Sequence, residues 1–373
     1  MKRKVLPGLL FAVISTQAYS IEIDAEVAPG YDNNPFKLAD RFNPDGAWYL
    51  DSKIKASQKF NNFRLRGTLK HRSYEGASDD GDYTNIGLDG RYKKKHMLAG
   101  KTASSQFSIR YSNRDKTYVQ RSTGQIGTFA GQQIKDRYDN SAWGAKAKTT
   151  LSLNKQVKTG LALDYQNKNY DDLNIAGLSN LDYDQFELSN HWGYQQSQRS
   201  DFGLVFGYAH RKFDDRREKT LLGASVAGTN LTYDYYFTAL THKYEFSSQL
   251  QSKVKLSYKV REDSGAGYYD TDDLKISAGL DYDINNDLTL ATNLTYQDLQ
   301  YDNGTTLDEI DAVLPGKSGY SLKVRLEKTL TTIQKAPLVL ASGFKYDNFN
   351  SDDPLYEYDR FQAFVGLNLV FSN

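Results

Sequence analysis

The chain has 373 residues and no cysteine, and its charge is close to balanced, with 47 Lys and Arg against 46 Asp and Glu; it is not a polycation, which excludes any charge-based case for nucleic-acid binding. Aromatics make up 13%, with 28 Tyr and 18 Phe, yet mean hydropathy is −0.66, a pairing that excludes a wholly disordered chain and suits strands that are apolar only at alternate residues. A soluble β-sandwich or propeller is the rival to a membrane barrel.

The first twenty residues stand apart. Lys2, Arg3 and Lys4 are followed by the short apolar run from Val5 to Ile14, and Ala18 and Ser20 are small residues suited to a cleavage site. That order predicts a Sec-type signal peptide over 1–20, cut near Ser20. The apolar run is too short for a membrane anchor, which needs roughly 20 residues. Loss of those three cations takes the formal charge from +1 to −2. A chain without cysteine also suits an oxidising periplasm.

Beyond Ser20 the signal is period-two alternation. It marks segments at 21–31, 48–60, 63–72, 83–93, 107–114, 141–153, 157–165, 183–196, 202–208, 230–246, 254–260, 274–284, 288–296, 320–330, 338–346 and 361–371. Phe63, Leu65, Gly67 and Leu69 alternate with Arg64, Arg66, Thr68 and Lys70. At the end, Phe361, Ala363, Val365, Leu367, Leu369 and Phe371 share one face. Short links, as at Asn61-Asn62, 154–156, 247–248 and 285–287, alternate with long acidic ones at 75–82, 171–181, 212–229, 262–273, 299–318 and 348–356. The pattern predicts an all-β fold: one transmembrane antiparallel up-and-down β-barrel over 21–373, of about 16 strands, 14 to 18 at the limits, with both termini in the periplasm.

If apolar residues face lipid, the opposite face is basic. Lys53, Lys55, Arg64, Arg66, Lys70, Arg72, Arg91, Arg110, Lys146, Lys148, Lys253, Lys255, Lys259, Arg261, Lys323 and Arg325 become candidates for lining the pore. Inward acids are fewer, Asp51, Asp89, Asp164, Asp201, Glu187, Asp281 and Glu327 among them. Other acids gather in the links, as at Asp79-Asp80, Asp171-Asp172, Asp272-Asp273 and Asp352-Asp353. A confined basic wall attracts anions; the plainer reading is that these charges hydrate a water-filled interior and pair with one another. The acidic links read as solvated surface rather than as Ca²⁺ sites, and no Cys/His spacing or glycine motif suggests a metal or cofactor.

The longest link, 115–140, follows the fifth strand. Its position resembles the third external loop of general porins, which narrows the pore. That likeness makes Arg121, Gly124, Gly127, Phe129, Gly131, Lys135 and Arg137 candidates for a constriction, with a surface cover over the mouth as the equal alternative. The final strand resembles the C-terminal signal read by the barrel assembly machinery, although Ser372 and Asn373 follow its aromatic. The string Gly30 to Phe42, GYDNNPFKLADRF, resembles the opening of porin-like β-barrel proteins of Gram-negative outer membranes, some of which are associated with exopolysaccharide systems. Asn33-Asn34-Pro35 within it is a turn. His191 near Ser189 and His210 near Asp214 are ordinary neighbours, not a catalytic set.

The reading is therefore a non-enzymatic outer-membrane channel for small hydrophilic solutes, with a mild preference for anions such as acidic oligosaccharides. Its partners would be lipid and lipopolysaccharide, the assembly machinery and further copies of itself. The alternatives are a barrel component of surface-polysaccharide export or assembly, and a structural or adhesive outer-membrane protein.

Overall fold

The structure, a computed structural model, describes residues 21–42, 44–75, 81–304, 306–307, 310, 315–334 and 336–372. The leader at 1–20 and Asp79-Asp80 lie outside the described residues. The main strands are β1 (Ile21–Asp32), β2 (Ala47–Phe60), β3 (Phe63–Tyr74), β4 (Tyr83–Leu98), β5 (Lys101–Lys116), β6 (Asn140–Ser152), β7 (Val157–Tyr170) and β8 (Tyr183–Ser197). They continue as β9 (Ser200–Phe213), β10 (Thr232–Glu245), β11 (Leu250–Asp263), β12 (Thr271–Asn285), β13 (Leu288–Tyr301), β14 (Lys317–Ile333), β15 (Ala336–Ser351) and β16 (Tyr358–Ser372). Each pairs antiparallel with the next, and β1 pairs with β16, so the sheet is a closed barrel. Closure rules out the sandwich and the propeller.

The strands run from 12 to 17 residues. About 9–11 tilted residues cross the hydrocarbon, so every strand rises beyond it. This corrects two boundaries read from composition. Asp272 and Asp273, expected in a link, belong to β12, where they face Val260 and Lys259 of β11. Asp115 and Lys116 extend β5 and Asn140 opens β6, which leaves 117–139 as the link. Ladder pairing with a neighbour outweighs the weak strand preference of Asp and Asn.

Short turns lie at the end that carries Ile21 and Ser372. At Ala99-Gly100 both residues have positive φ, 50° and 72°, the geometry of a two-residue hairpin turn. The long links gather at the opposite end.

The two faces differ in chemistry. Trp48, Leu88, Ile109 and Val365 are each more than half exposed and point outward, as a lipid-facing row requires. Towards the long-link end, outward tyrosines donate to an aspartate on the next strand: Tyr165 to Asp184 at 2.6 Å, Tyr208 to Asp234 at 2.6 Å and Tyr258 to Asp272 at 2.7 Å. An apolar ring capped by a polar hydroxyl suits the membrane interface.

The other face is concave, because its side chains reach past intervening strands. Arg325 on β14 lies 3.0 Å from Glu26 on β1, beyond β15 and β16. Arg110 on β5 reaches Asp164 on β7 at 2.6 Å, over β6. Gly144 on β6 makes room for that crossing: a Cβ there would sit 2.9 Å from Arg110 Nε.

The β1–β16 seam is tied at the long-link end by Asp32, which is fully buried. It accepts from Nε and Nη2 of Arg360, from Gln362 at 2.8 Å, from Tyr74 at 3.0 Å and from the Asn34 amide at 3.1 Å. Replacing Asp32 with Ala strands the Arg360 charge, an expected loss of about 3–5 kcal/mol. The urea midpoint of the detergent-solubilised barrel checks this, and an unchanged midpoint would contradict it.

Candidate functional site

All sixteen basic candidates sit at strand positions of the concave parity, and they fall into three groups. The first is paired. Lys53 lies 3.0 Å from Glu26, and Lys55 lies 2.9 Å from Asp24. Arg64 is 3.5 Å from Glu22, and Arg91 is 3.8 Å from Asp89. Arg72 grips Asp51 through two 2.6 Å hydrogen bonds while it stacks 3.9 Å over the Tyr49 ring. Arg110 and Lys146 share Asp164, and Arg325 divides itself between Glu26 and Glu327.

The second group is turned onto aromatics. Lys259 lies 5.4 Å over Tyr235, and Arg261 lies 4.8 Å over Tyr233 and donates to the Tyr269 carbonyl at 2.7 Å. These tyrosines, with Tyr183, Phe213 and Leu231, form a packed cluster at the long-link end of β8–β12. Arg211 joins it, 4.1 Å over Tyr183. The cluster is solid, so these cations hold the wall together.

The third group, Arg66, Lys70, Lys148, Lys253, Lys255 and Lys323, has no acid within 4 Å among the described residues. Among the sixteen candidates, these six carry charge that no neighbouring acid offsets.

The sequence reading missed the acids of β1. Glu22, Asp24 and Glu26 stand on one face at two-residue spacing, Asp32 shares that face six residues on, and they take up Arg64, Lys55, Lys53 and Arg360. The alternation in IEIDAEVAPGYD signals them. The basic residues Lys345 on β15 and Arg360 on β16, which pair with Asp347 and Asp32, were likewise left out. Among the histidines, His191 lies 3.2 Å from Ser189 on the concave face, while His210 pairs with Asp234 at 2.8 Å on the outward face, not with Asp214.

The link 117–139 lies across the mouth. Arg121 comes within electrostatic range of Lys37, Lys317 and Tyr358, on the side of the barrel opposite its root. Gly124, with φ of 70°, touches Leu38 of the 33–46 link. Gly127 lies flat on Tyr118, where a Cβ would come within 2.3 Å of the ring. Phe129 packs over Gly177 and into a cluster with Tyr118, Ile134 and Ile175. Gly131, with φ of 75°, turns a small hairpin in open space. The Lys135 carbonyl accepts from the Tyr118 amide at 2.6 Å. Arg137 is buried and donates to the carbonyls of Ser179 at 2.5 Å and Ile310 at 3.3 Å. Three neighbouring links therefore hold this one.

With the geometry in place, comparison with known proteins bears on the fold. CdiB from Acinetobacter baumannii superposes with a TM-score of 0.54 at 9% identity, over 94% of this chain and 60% of that one. The likeness is one of fold, a closed antiparallel β-barrel. A bacterial polysaccharide outer membrane secretin gives 0.46 at 7% identity, over 94% of this chain and 98% of the other. OpdK from Pseudomonas aeruginosa, with vanillate, gives 0.45 at 12%, over 95% and 99%. No family model and no curated protein matches the sequence.

At the root of the crossing link, burial raises the Asp139 carboxyl to about 7, and Asp115, Asp136 and Asp171 add to the effect. Its Oδ1 still accepts from the Lys116 amide at 2.6 Å. The seated link thus keeps a proton that a released link gives up near 3.8. Seating weakens as pH rises through that window, because the seated state binds more protons. Lys37, lowered to about 7 mainly by burial, acts above that window with opposite sign. The expected outcome is faster proteolysis within 117–139 at pH 7 than at pH 5, and loss of this difference in Asp139→Asn, which keeps the acceptor and removes the charge.

Proposed function

We propose that the protein is a passive outer-membrane channel for small hydrophilic solutes, with a preference for anions such as acidic oligosaccharides. The observation that carries the reading is the group of unpaired cations on the concave wall of a closed sixteen-strand barrel: Arg66, Lys70, Lys148, Lys253, Lys255 and Lys323. Barrels of 16–18 strands are wide enough for water. Charges without a partner set the field along the path, whereas paired ones cancel at short range. No reaction and no cofactor belongs to this reading.

In the same proposal the link 117–139 forms the narrowest point. Its backbone crosses the mouth from the β5–β6 side to Leu38, so solutes pass beside it. The chain would reach the membrane after leader cleavage near Ser20 and insertion by the barrel assembly machinery, with lipid and lipopolysaccharide around its apolar band.

Planar-bilayer recording tests both parts. In a KCl gradient the reversal potential is expected on the anion side, and Lys253→Gln with Lys255→Gln moves it towards zero. High salt reduces the preference, since the Debye length falls from about 10 Å at 0.1 M to about 3 Å at 1 M. Deleting Gly124 to Gly131 raises conductance while the barrel stays folded. Cation selectivity would overturn the anion reading, and unchanged conductance would place the constriction elsewhere.

A further inference from the structure

We propose that the concave wall holds a subsite for a small dicarboxylate between Lys70 and Lys323; it deepens the channel reading and rests on it. A cavity of about 450 Å³ lies against the wall there, within the roughly 300–1,000 Å³ of small-molecule sites. Lys53, Lys70 and Arg72 line one side, and Lys323, Arg325 and Lys345 line the other.

The strand register creates an electrostatic conflict in this cavity. Lys53 stands directly opposite Lys70 across β2 and β3. Lys323 stands directly opposite Lys345 across β14 and β15. Like charges in directly opposed positions are destabilising. The chain relieves one member of each pair. Lys53 is held by Glu26 at 3.0 Å, and Lys345 is held by Asp347. The other acids nearby are spoken for: Arg325 also takes Glu26, and Arg72 takes Asp51. Lys70 and Lys323 are left exposed to the lumen with no acid within 4 Å among the described residues.

These two lysines flank one bridge. Glu26 receives Lys53 from β2 and Arg325 from β14, each at 3.0 Å. Lys70 is the cross-strand neighbour of Lys53, and Lys323 is the same-face neighbour of Arg325. The arrangement is therefore positive, neutralised, positive. Lys70 and Lys323 stand five strands apart around the wall but line the one cavity; a halide would satisfy one lysine and leave the other, whereas two carboxylates joined by a carbon skeleton offer one charge to each side. The partly exposed rings of Tyr83 and Phe364 line the same cavity and offer apolar contact to that skeleton.

Succinate and its neutral counterpart succinamide are the probes, titrated calorimetrically into the full chain in detergent at low salt. Succinate is expected to bind saturably and succinamide to give no heat. Lys70→Gln and Lys323→Gln each weaken succinate about tenfold, near 1.4 kcal/mol, and Lys70→Arg restores it. Unaltered affinity in both Gln variants, or equal binding of succinamide, overturns the subsite. Succinate binding without conductance in bilayers would uphold the subsite and refute the channel. Conductance without succinate binding would refute the subsite and leave the channel standing.

Discussion

Closure is the constraint on which the rest depends. In hydrocarbon an unpaired backbone amide or carbonyl costs several kcal/mol, so the first and last strands must find each other across more than three hundred residues of chain. Here β1 and β16 pair over most of their length. At one end of the seam Asp32 gathers Arg360 and Gln362 from β16 and Tyr74 from β3. Because a closed sheet has an inside, closure also decides which face can carry charge.

That inside face is not uniform. Strand β1 brings three further acids into the seam region, where they neutralise Lys53, Lys55 and Arg64 and help hold Arg325. On the wall of β8–β12 the long-link half is filled by tyrosines with Arg211 and Arg261 threaded among them. Both devices are local: one cancels charge by pairing, the other covers it with ring faces. In the proposed channel, the field that a solute meets comes from what remains, chiefly Lys253 and Lys255 on β11 and the isolated members of the two opposed lysine pairs. A count of basic residues by strand parity overstates this field, since it assigns equal weight to Arg72, clamped by Asp51, and to Lys70, which has no acid beside it.

Much of the architecture was legible because alternation is dictated by the two solvents. Phe361 to Phe371 read as a strand and is one, since lipid on one side and water on the other leave no alternative. The ends were less legible. Only 107–114 of β5 carries the pattern, because Lys101 to Ser105 and the stretch after Asn113 rise out of the apolar layer, where outward residues need not be apolar. The acids of β1 were visible as an alternating row, but their partners lie 27 or more residues away, and Arg325 about 300. Register and closure alone bring them together. Length and position marked the crossing link, whereas its seating on Leu38, Ile175 and Ile310 depends on contacts between links that share no local pattern.

In the proposed channel the concave face is a water-filled, electropositive path. The chain has no cysteine, so single cysteines can report it without background. Lys253→Cys, Val254→Cys, Lys255→Cys and Leu256→Cys, placed one at a time along β11, would be exposed to small thiol reagents of opposite charge. Labelling is expected at 253 and 255 and protection by lipid at 254 and 256, with the anionic reagent reacting faster than the cationic one at both lumenal sites. Equal labelling along the strand, or faster reaction with the cationic reagent, would contradict it.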